Sequence, residues 1–149
     1  MITLSNEPMW SFESLRSINT QGRFTHFDYA RVLRQSGKLD PEILLQWLKS
    51  YAPPLIEHNG RIYLAEQFST KEFEDVRRRV ASDSDAQLFL NLVNVTDLLG
   101  EESDAFLPDI AEQMTANWNA QLLAQYPSHL DRVQTLLDDG EYYICIVRS

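Results

Sequence analysis

Residues 132–148 read RVQTLLDDGEYYICIVR. Two apolar segments, 132–137 and 142–148, flank the turn residues 138–141 (DDGE), and this arrangement predicts a β-hairpin. Successive side chains of a strand point to opposite faces, and both faces of the second segment are apolar. One face carries Tyr143, Cys145 and Val147, and the other carries Tyr142, Ile144 and Ile146. We therefore expect this strand to be central in its sheet or covered on both sides.

A second hairpin is predicted at residues 55–64. The segments LIEH (55–58) and RIYL (61–64) flank Asn59-Gly60. Both central residues of a type I′ turn need a positive φ angle, and Asn-Gly meets this need. The two hairpins account for the predicted β-structure of the chain.

Three helices are predicted before this hairpin. Asn6, Thr25 and Asp40 are suitable N-caps, because their side chains can accept hydrogen bonds from the free amides of a first helical turn. Gly37 suits the position after the second helix, and residues 53–54 (PP) end the third. The third helix presents apolar residues at helical spacing, which is typical of a core-facing helix: Ile43, Leu44, Trp47, Leu48 and Tyr51.

Residues 69–99 contain one clear helix and one ambiguous segment. Ser69 and Glu72 match a capping box at the start of the clear helix. From residue 85 to 99, apolar side chains lie nearly all round a helix, which predicts deep burial: Leu88, Phe89, Leu92, Val93 and Val95. Length favours a helix at the front of this segment, whereas the residues after Asn91 fit either a helix or a strand.

The longest predicted helix covers residues 105–126 and ends before a proline. Its apolar stripe has steps of three and four residues: Leu107, Ile110, Ala111, Met114, Trp118 and Leu122. Asp104, Asp109 and Glu112 lie near its N-terminus, where the helix dipole favours negative charge. Together these elements predict a single α+β domain over residues 1–149, with a small, mostly antiparallel sheet of two hairpins packed against five or six helices.

The negative charge of the chain is concentrated in one stretch. The chain has 13 basic and 22 acidic residues and a formal net charge of −9. No lysine or arginine occurs between Arg79 and Arg132, a stretch that holds nine acidic residues. Clustered negative charge attracts positively charged proteins and repels nucleic acid. We therefore expect a basic protein partner and no nucleic-acid partner.

Acids of this stretch, the acidic turn and one tryptophan are the candidate partner-binding residues: Asp97, Glu101, Glu102, Asp104, Asp109, Glu112, Trp118, Asp138, Asp139 and Glu141. The expected function is that of a small binding protein whose acidic surface engages a basic protein. An immunity-type inhibitor, which plugs the positive cleft of a nuclease-like toxin, fits this description. Apolar residues continue through the acidic stretch, so we expect it to be folded.

Two other functions stay open at this stage. A small enzyme could use carboxylates together with His58 or His129 in a site without a known motif. A homo-oligomeric scaffold could assemble through an exposed edge strand. The sequence does not distinguish a monomer from a homodimer.

No catalytic, metal or cofactor motif is recognisable. Residues 83–85 (DSD) begin like a calcium loop, but Leu88 and Asn94 stand where that loop needs glycine and glutamate. The three histidines lack the spacing of a helical zinc site, and no glycine-rich phosphate loop is present. The basic cluster at residues 77–79 (RRR) can pair with the acids at 74 and 75 one turn earlier, so a structural role is predicted for it.

Cys145 is the only cysteine, so an intrachain disulfide is excluded. A reducing, cytoplasmic location is the usual setting for such a chain. The thiol lies in the middle of a predicted strand, which favours a buried structural role over a nucleophile. Residues 1–8 lack the pattern of a signal peptide, and no apolar run is long enough to span a membrane.

Overall fold

The computed structural model describes residues 10–19, 22–100 and 104–148. Its helices are α1 (Phe12–Ile18), α2 (His26–Gln35), α3 (Pro41–Tyr51), α4 (Thr70–Arg77), α5 (Asp83–Asn91), α6 (Val95–Leu99) and α7 (Leu107–Gln125). The strands are β1 (Leu55–His58), β2 (Arg61–Leu64), β3 (Val93–Asn94), β4 (Asp131–Asp138) and β5 (Glu141–Arg148). The α+β class is confirmed, with seven α-helices in the described residues where five or six were predicted. Within those residues, no helix combines the length and apolarity needed to cross a bilayer.

The two hairpins belong to two separate sheets. β1 and β2 form an antiparallel two-stranded sheet, and a three-stranded antiparallel sheet has the order β3-β5-β4. β5 is central, as its two apolar faces predicted, and Ile144, Cys145 and Ile146 are fully buried. The predicted sheet is divided because β2 meets side chains, not a strand, along its second edge: Asp131 and Asn91 accept hydrogen bonds from its amides.

Both hairpins close with a two-residue turn. Residues 59–60 have φ angles of +50° and +74°, as a type I′ turn requires. In the second hairpin Asp138 pairs with Glu141, so the turn consists of Asp139 (φ +48°) and Gly140 (φ +77°). This turn is therefore shorter than predicted, because the flanking acids belong to the strands.

The chain divides into two compact units, residues 1–48 and 49–149. The first unit holds α1, α2 and most of α3, and the second holds the other elements. All buried residues of the described chain lie between Ile62 and Ile146, in the second unit. The single domain stays a prediction.

Local signals set the helix ends of the first unit. Thr25 and Asp28 form a reciprocal capping box at the start of α2. Asp40 accepts a hydrogen bond of 2.8 Å from the amide two residues later, at the start of α3. Both predicted caps are confirmed. α1 is capped by Ser11, whereas its predicted cap, Asn6, lies outside the described residues.

The apolar stripe of α3 is not buried. Ile43 and Leu48 are 60% and 53% exposed, and none of the described residues of α1, α2 and α3 is buried. The predicted core-facing role is therefore wrong for most of this helix, although its last residue, Tyr51, packs against the main core. Helical spacing shows which residues share a face, but burial also requires a surface to pack against, and a unit this small encloses little apolar surface.

The ambiguous segment contains both predicted alternatives. α5 ends at Asn91, β3 follows for two residues, and α6 begins at Val95. The expectation of burial on all sides is wrong, since Phe89 is 64% and Leu92 37% exposed. α5 buries one face only, and this face includes the polar residues Gln87 and Asn91. Their amides are buried because they bond backbone groups of the neighbouring strands.

α7 covers one face of the three-stranded sheet. Five residues of its predicted stripe are buried and Ile110 packs against them, so the stripe is confirmed. The main core contains Ile62, Leu64, Val95, Leu107, Met114, Trp118, Leu122, Val133, Ile144 and Ile146. A smaller cluster of Tyr63, Phe73, Ala86 and Leu90 lies where α4 and α5 meet β2.

α4 begins as predicted, but its arginines have different partners. Ser69 caps the helix by accepting a hydrogen bond of 3.1 Å from the amide three residues later. Arg78 pairs with Asp75 at 3.4 Å, one residue closer in sequence than the predicted spacing of four. Arg77 pairs with Asp83 on α5 at 2.6 Å. Arg78 thus pairs at a spacing of three in place of the predicted four, and α5, which packs against α4, supplies a separate acid to Arg77.

Candidate functional site

The direction of α7 on the sheet determines where its acidic residues lie. The hydroxyls of Thr115 and Thr135 are 2.6 Å apart, and the Asn119 side chain bonds the backbone of Val133 at 2.8 and 3.0 Å. α7 therefore runs antiparallel to β4. Four helical residues rise about 6 Å and two strand residues about 6.7 Å. The same register places the N-terminal end of α7 next to the two-residue turn between β4 and β5.

α6 is held at the same turn. The amide of Tyr142 donates to Thr96 Oγ1 at 2.9 Å, and Asn94 Nδ2 donates to Glu141 Oε2 at 3.2 Å. Asn94 also caps α6 by accepting a hydrogen bond of 3.0 Å from the amide of Asp97. These bonds place Asp97 at the hairpin turn, where β5 begins.

From the register of α7 and the hydrogen bonds of α6 we infer that seven of the predicted binding residues lie toward one end of the three-stranded sheet, which we call the acidic end: Asp97, Asp104, Asp109, Glu112, Asp138, Asp139 and Glu141. Six of them are exposed, and Glu141 is half-buried. Asp104 belongs to the group because it lies just before the N-terminus of α7. The predicted residues Glu101 and Glu102 lie outside the described residues.

Trp118 does not belong to this surface, and its predicted binding role is corrected. Its side chain is only 3% exposed, and its Nε1–H donates to the backbone oxygen of Ser50 at 2.9 Å. The residue occupies the buried stripe of α7, whereas Asp109 and Glu112 occupy the exposed side. A tryptophan placed so deeply contributes to packing and cannot contact a partner.

The acidic end keeps its negative charge. Across the described ranges of the second unit, the arginine ion pairs involve other acids, namely Asp75, Asp83 and Asp131. The stretch that supplies α6 and α7 contains no lysine or arginine. Exposed carboxylates without neighbouring cations create a negative potential at this end of the molecule.

Tyr143 lies within the acidic end, and the surrounding negative charge affects the pKa of its phenol. Its hydroxyl donates to Glu141 Oε2 at 2.6 Å. This hydrogen bond, followed by burial and the charges of Glu141, Asp138 and Asp139, raises the pKa of Tyr143 above its ordinary value. Three carboxylates therefore lie within electrostatic range of this one phenol.

Glu141→Gln is expected to lower the pKa of Tyr143 toward the ordinary value of about 10, because it replaces a charged acceptor by a neutral one. A pH titration of the phenol by ultraviolet absorbance or NMR measures the change, with Tyr143→Phe as the reference. In the native protein, the raised pKa stabilises the fold below pH ~10, and this contribution is lost as pH rises through the raised value. An unchanged titration in Glu141→Gln would show that Glu141 does not control the phenol.

Sequence reasoning missed a buried polar network, formed by Gln87, Asn91, Asp131 and Arg148. Asp131 is fully buried. Its Oδ2 accepts from the amide of Ile62 at 2.7 Å and from Gln87 Nε2 at 2.8 Å, and its Oδ1 accepts from Arg148 Nε at 3.0 Å. The network links the two sheets. A sequence signal for it exists in the i,i+4 spacing of Gln87 and Asn91, which puts both amides on one helical face.

His129, His58 and Cys145 contact backbone or apolar groups of the fold. His129 Nδ1 accepts a hydrogen bond of 3.3 Å from the amide of Asp131, so its approach to Asp131 Oδ2 at the same distance is a contact without a second hydrogen bond. His58 packs with two phenylalanine rings at centroid distances of 4.9 Å. Cys145 is buried, which confirms the predicted buried thiol, and this burial raises the pKa of the thiol. In the described part of the chain, no group of three or more His, Cys, Asp and Glu side chains is arranged to hold a metal ion.

Two shallow surface cavities have volumes of about 300 and 320 Å³. The first is lined by Gln67, Glu72, Asp75, Val76, Arg79, Phe89 and Leu90. The second, in the first unit, is lined by Ala30, Arg31, Arg34, Leu39, Pro41 and Leu44. Neither lining includes His58 or His129, so neither cavity unites a histidine with carboxylates. The enzyme alternative stays a prediction.

Comparison of the chain with protein-family models, with curated proteins and with solved structures finds no match. The functional conclusion therefore depends on the acidic end itself. Its chemistry is simple: exposed carboxylates, held by two helices and a tight turn, can bind cationic groups.

Proposed function

We propose that the protein is a non-enzymatic binding protein that engages a basic protein partner through the acidic end, in the manner of an immunity-type inhibitor. The observation that carries this proposal is the gathering of carboxylates from α6, α7 and the hairpin turn at one place, with no arginine or lysine paired to them in the described residues. Complementary charge accelerates encounter with a basic protein and disfavours nucleic acid.

The backbone beneath these carboxylates is held by hydrogen bonds and by packing against the main core. Glu141 is held by hydrogen bonds from Tyr143 and Asn94, and Asp139 is fixed in a two-residue turn. β5 and α7 both contribute to the main core. A backbone held in this way loses little conformational freedom on binding. This favours a partner with a preformed positive cleft.

A cytoplasmic location is part of the proposal. Cys145 is a free, buried thiol, and free thiols are typical of proteins that stay in a reducing compartment. The inhibitor would then act where the chain is made.

Neutralising three exposed acids is expected to weaken partner binding about tenfold or more, because complementary charge governs encounter and register. The variant combines Glu112→Gln, Asp138→Asn and Asp139→Asn, and asparagine tolerates the positive φ of residue 139. The test is a pull-down from native lysate over a salt series. The wild type should retain a basic protein that is released as salt increases, and the variant should retain less at every salt concentration.

The matched control removes the same charge elsewhere in the second unit, by Glu57→Gln, Glu66→Gln and Glu74→Gln. These acids are exposed and lie outside the acidic end. The control should bind nearly as well as the wild type. Equal losses in the two variants would assign the effect to total charge, and retention that ignores salt would contradict the proposal altogether.

A further inference from the structure

Asn119 reveals which residues of β4 direct their backbone groups away from β5. Its side chain accepts from the amide of Val133 at 2.8 Å and donates to the carbonyl of Val133 at 3.0 Å. β5 occupies the other edge of β4, so both backbone groups of Val133 point outward. Antiparallel pairing alternates with a period of two residues. Thr135 and Leu137 therefore also point their N–H and C=O groups outward.

These outward groups form an open edge. In the portion of the chain that the structure describes, no hydrogen-bond partner contacts the outward backbone groups of Thr135 and Leu137. Leu136 and Leu137 are 36% and 63% exposed. Free backbone groups beside exposed apolar side chains can accept a further strand.

The fold covers the comparable edges of β5 and β2. On β5, β3 and Thr96 cover the outer edge, and Asn91 bonds the carbonyl of Ile146. On β2, Asp131 and Asn91 accept from the amides. β1 is also an edge strand, but it is short, follows two prolines and carries Glu57, and these features discourage strand addition. The edge of β4 at residues 135–137 lacks such protection.

We propose that an extended segment of the basic partner adds as a strand to the edge of β4 along residues 135–137. This inference rests on the proposed function and specifies how the partner binds. Backbone hydrogen bonds to Thr135 and Leu137 supply affinity that does not depend on partner side chains. Asp138 and Asp139 lie at the end of the same strand, where they select basic side chains on the added segment.

A second copy of the chain fits this edge less well. In a two-fold antiparallel pair centred on Leu136, Asp139 of one copy lies opposite Val133 of the other, whose backbone groups already bind Asn119. Each copy also brings a formal net charge of −9, so like charges oppose the pairing. For a basic segment, the negative charge of the chain is attractive and favours binding at this edge.

The test uses a synthetic peptide of about ten residues with alternating lysine and valine, a length at the upper end of natural strands. Binding to the full chain is measured over a salt series, and backbone amide exchange is followed by NMR. Bound peptide should slow exchange at Thr135 and Leu137 in the wild type. The same peptide with N-methylated valines should bind at least about tenfold more weakly, since one edge of it can no longer donate.

Leu137→Pro removes one outward N–H without removing a bond to β5, and proline is tolerated at such edge positions. It should reduce peptide affinity about tenfold, whereas Glu57→Pro, on the edge strand β1, should leave it unchanged. Thermal unfolding of both variants checks that they fold. The exchange measurement uses only the wild type, so it remains a test even if a variant does not fold.

Salt-dependent binding with unchanged exchange at Thr135 and Leu137 would overturn strand addition and leave the acidic end as the binding surface. Absence of salt-dependent binding at low ionic strength would overturn the proposed function as well. Sedimentation of a wild-type dimer that Leu137→Pro converts to a monomer would assign the edge to a second copy and overturn the inference.

Discussion

Asn91→Leu is expected to lower the free energy of unfolding by about 2–6 kcal/mol. Asn91 is fully buried. Its Oδ1 accepts from the amide of Leu64 at 2.9 Å, and its Nδ2 donates to the carbonyls of Ile62 at 2.9 Å and Ile146 at 3.1 Å. Leucine has a similar shape but cannot form these bonds. The amide of Leu64 and the carbonyl of Ile146 would then be buried without partners, and each such group costs about 1–3 kcal/mol.

Urea unfolding measures this effect, as a lower midpoint at an unchanged slope. Asn117→Leu is the matched control, because Asn117 is exposed on α7 and the same chemical change there should alter stability by less than about 0.5 kcal/mol. Similar stabilities for the two variants would show that Asn91 does not bridge β2 and β5 in solution.

Asp131→Ala is expected to lower the free energy of unfolding by about 3 kcal/mol or more. The carboxylate is fully buried and accepts from Arg148, from the amide of Ile62 and from Gln87. Its removal leaves the guanidinium, whose side chain is 30% exposed, without its counter-charge. It also leaves the amide of Ile62 unpaired and removes one of the two hydrogen bonds that Gln87 Nε2 donates.

Asp131→Asn separates the charge from the hydrogen-bond geometry, since one amide oxygen remains as an acceptor. We expect a smaller loss for it than for alanine, measured by the same urea titration. Asp138→Asn, at an exposed position of the same strand, should change stability by less than about 0.5 kcal/mol. A neutral effect of Asp131→Ala would mean that the network adds no net stability.

Features that depend on neighbouring residues were predicted from the sequence, whereas the buried contacts of Asn91 and Asp131 were not. Some features depend on residues that are close in sequence. They are the hairpin turns at 59–60 and 139–140, the caps at Thr25 and Asp40, and the stripe of α7, whose members recur every three or four residues. Their patterns are visible in a single stretch of sequence. The stripe of α3 follows the same pattern and is nevertheless exposed, because periodicity specifies a face and not its surroundings.

The acidic end was predicted only in part. Its residues follow from the charge pattern, since a long stretch contains nine acids and no lysine or arginine. Sequence reasoning also included Trp118, because an apolar helix pattern does not show how deeply each member is buried. The open edge at residues 135–137 could not be predicted, since it depends on a tertiary contact. Asn119 bonds the backbone of Val133 and leaves the next outward backbone groups of β4 uncovered.

The sequence by itself determined the local conformations and the sign of the charge, because backbone preferences, side-chain period and formal charge belong to neighbouring residues. The tertiary structure alone decided which acids share one end and which polar residues are buried. Asp131 binds a residue 69 positions away and Asn91 one 55 positions away. Contacts at such separations form only when the whole fold satisfies buried backbone groups together, so no single stretch of residues encodes them.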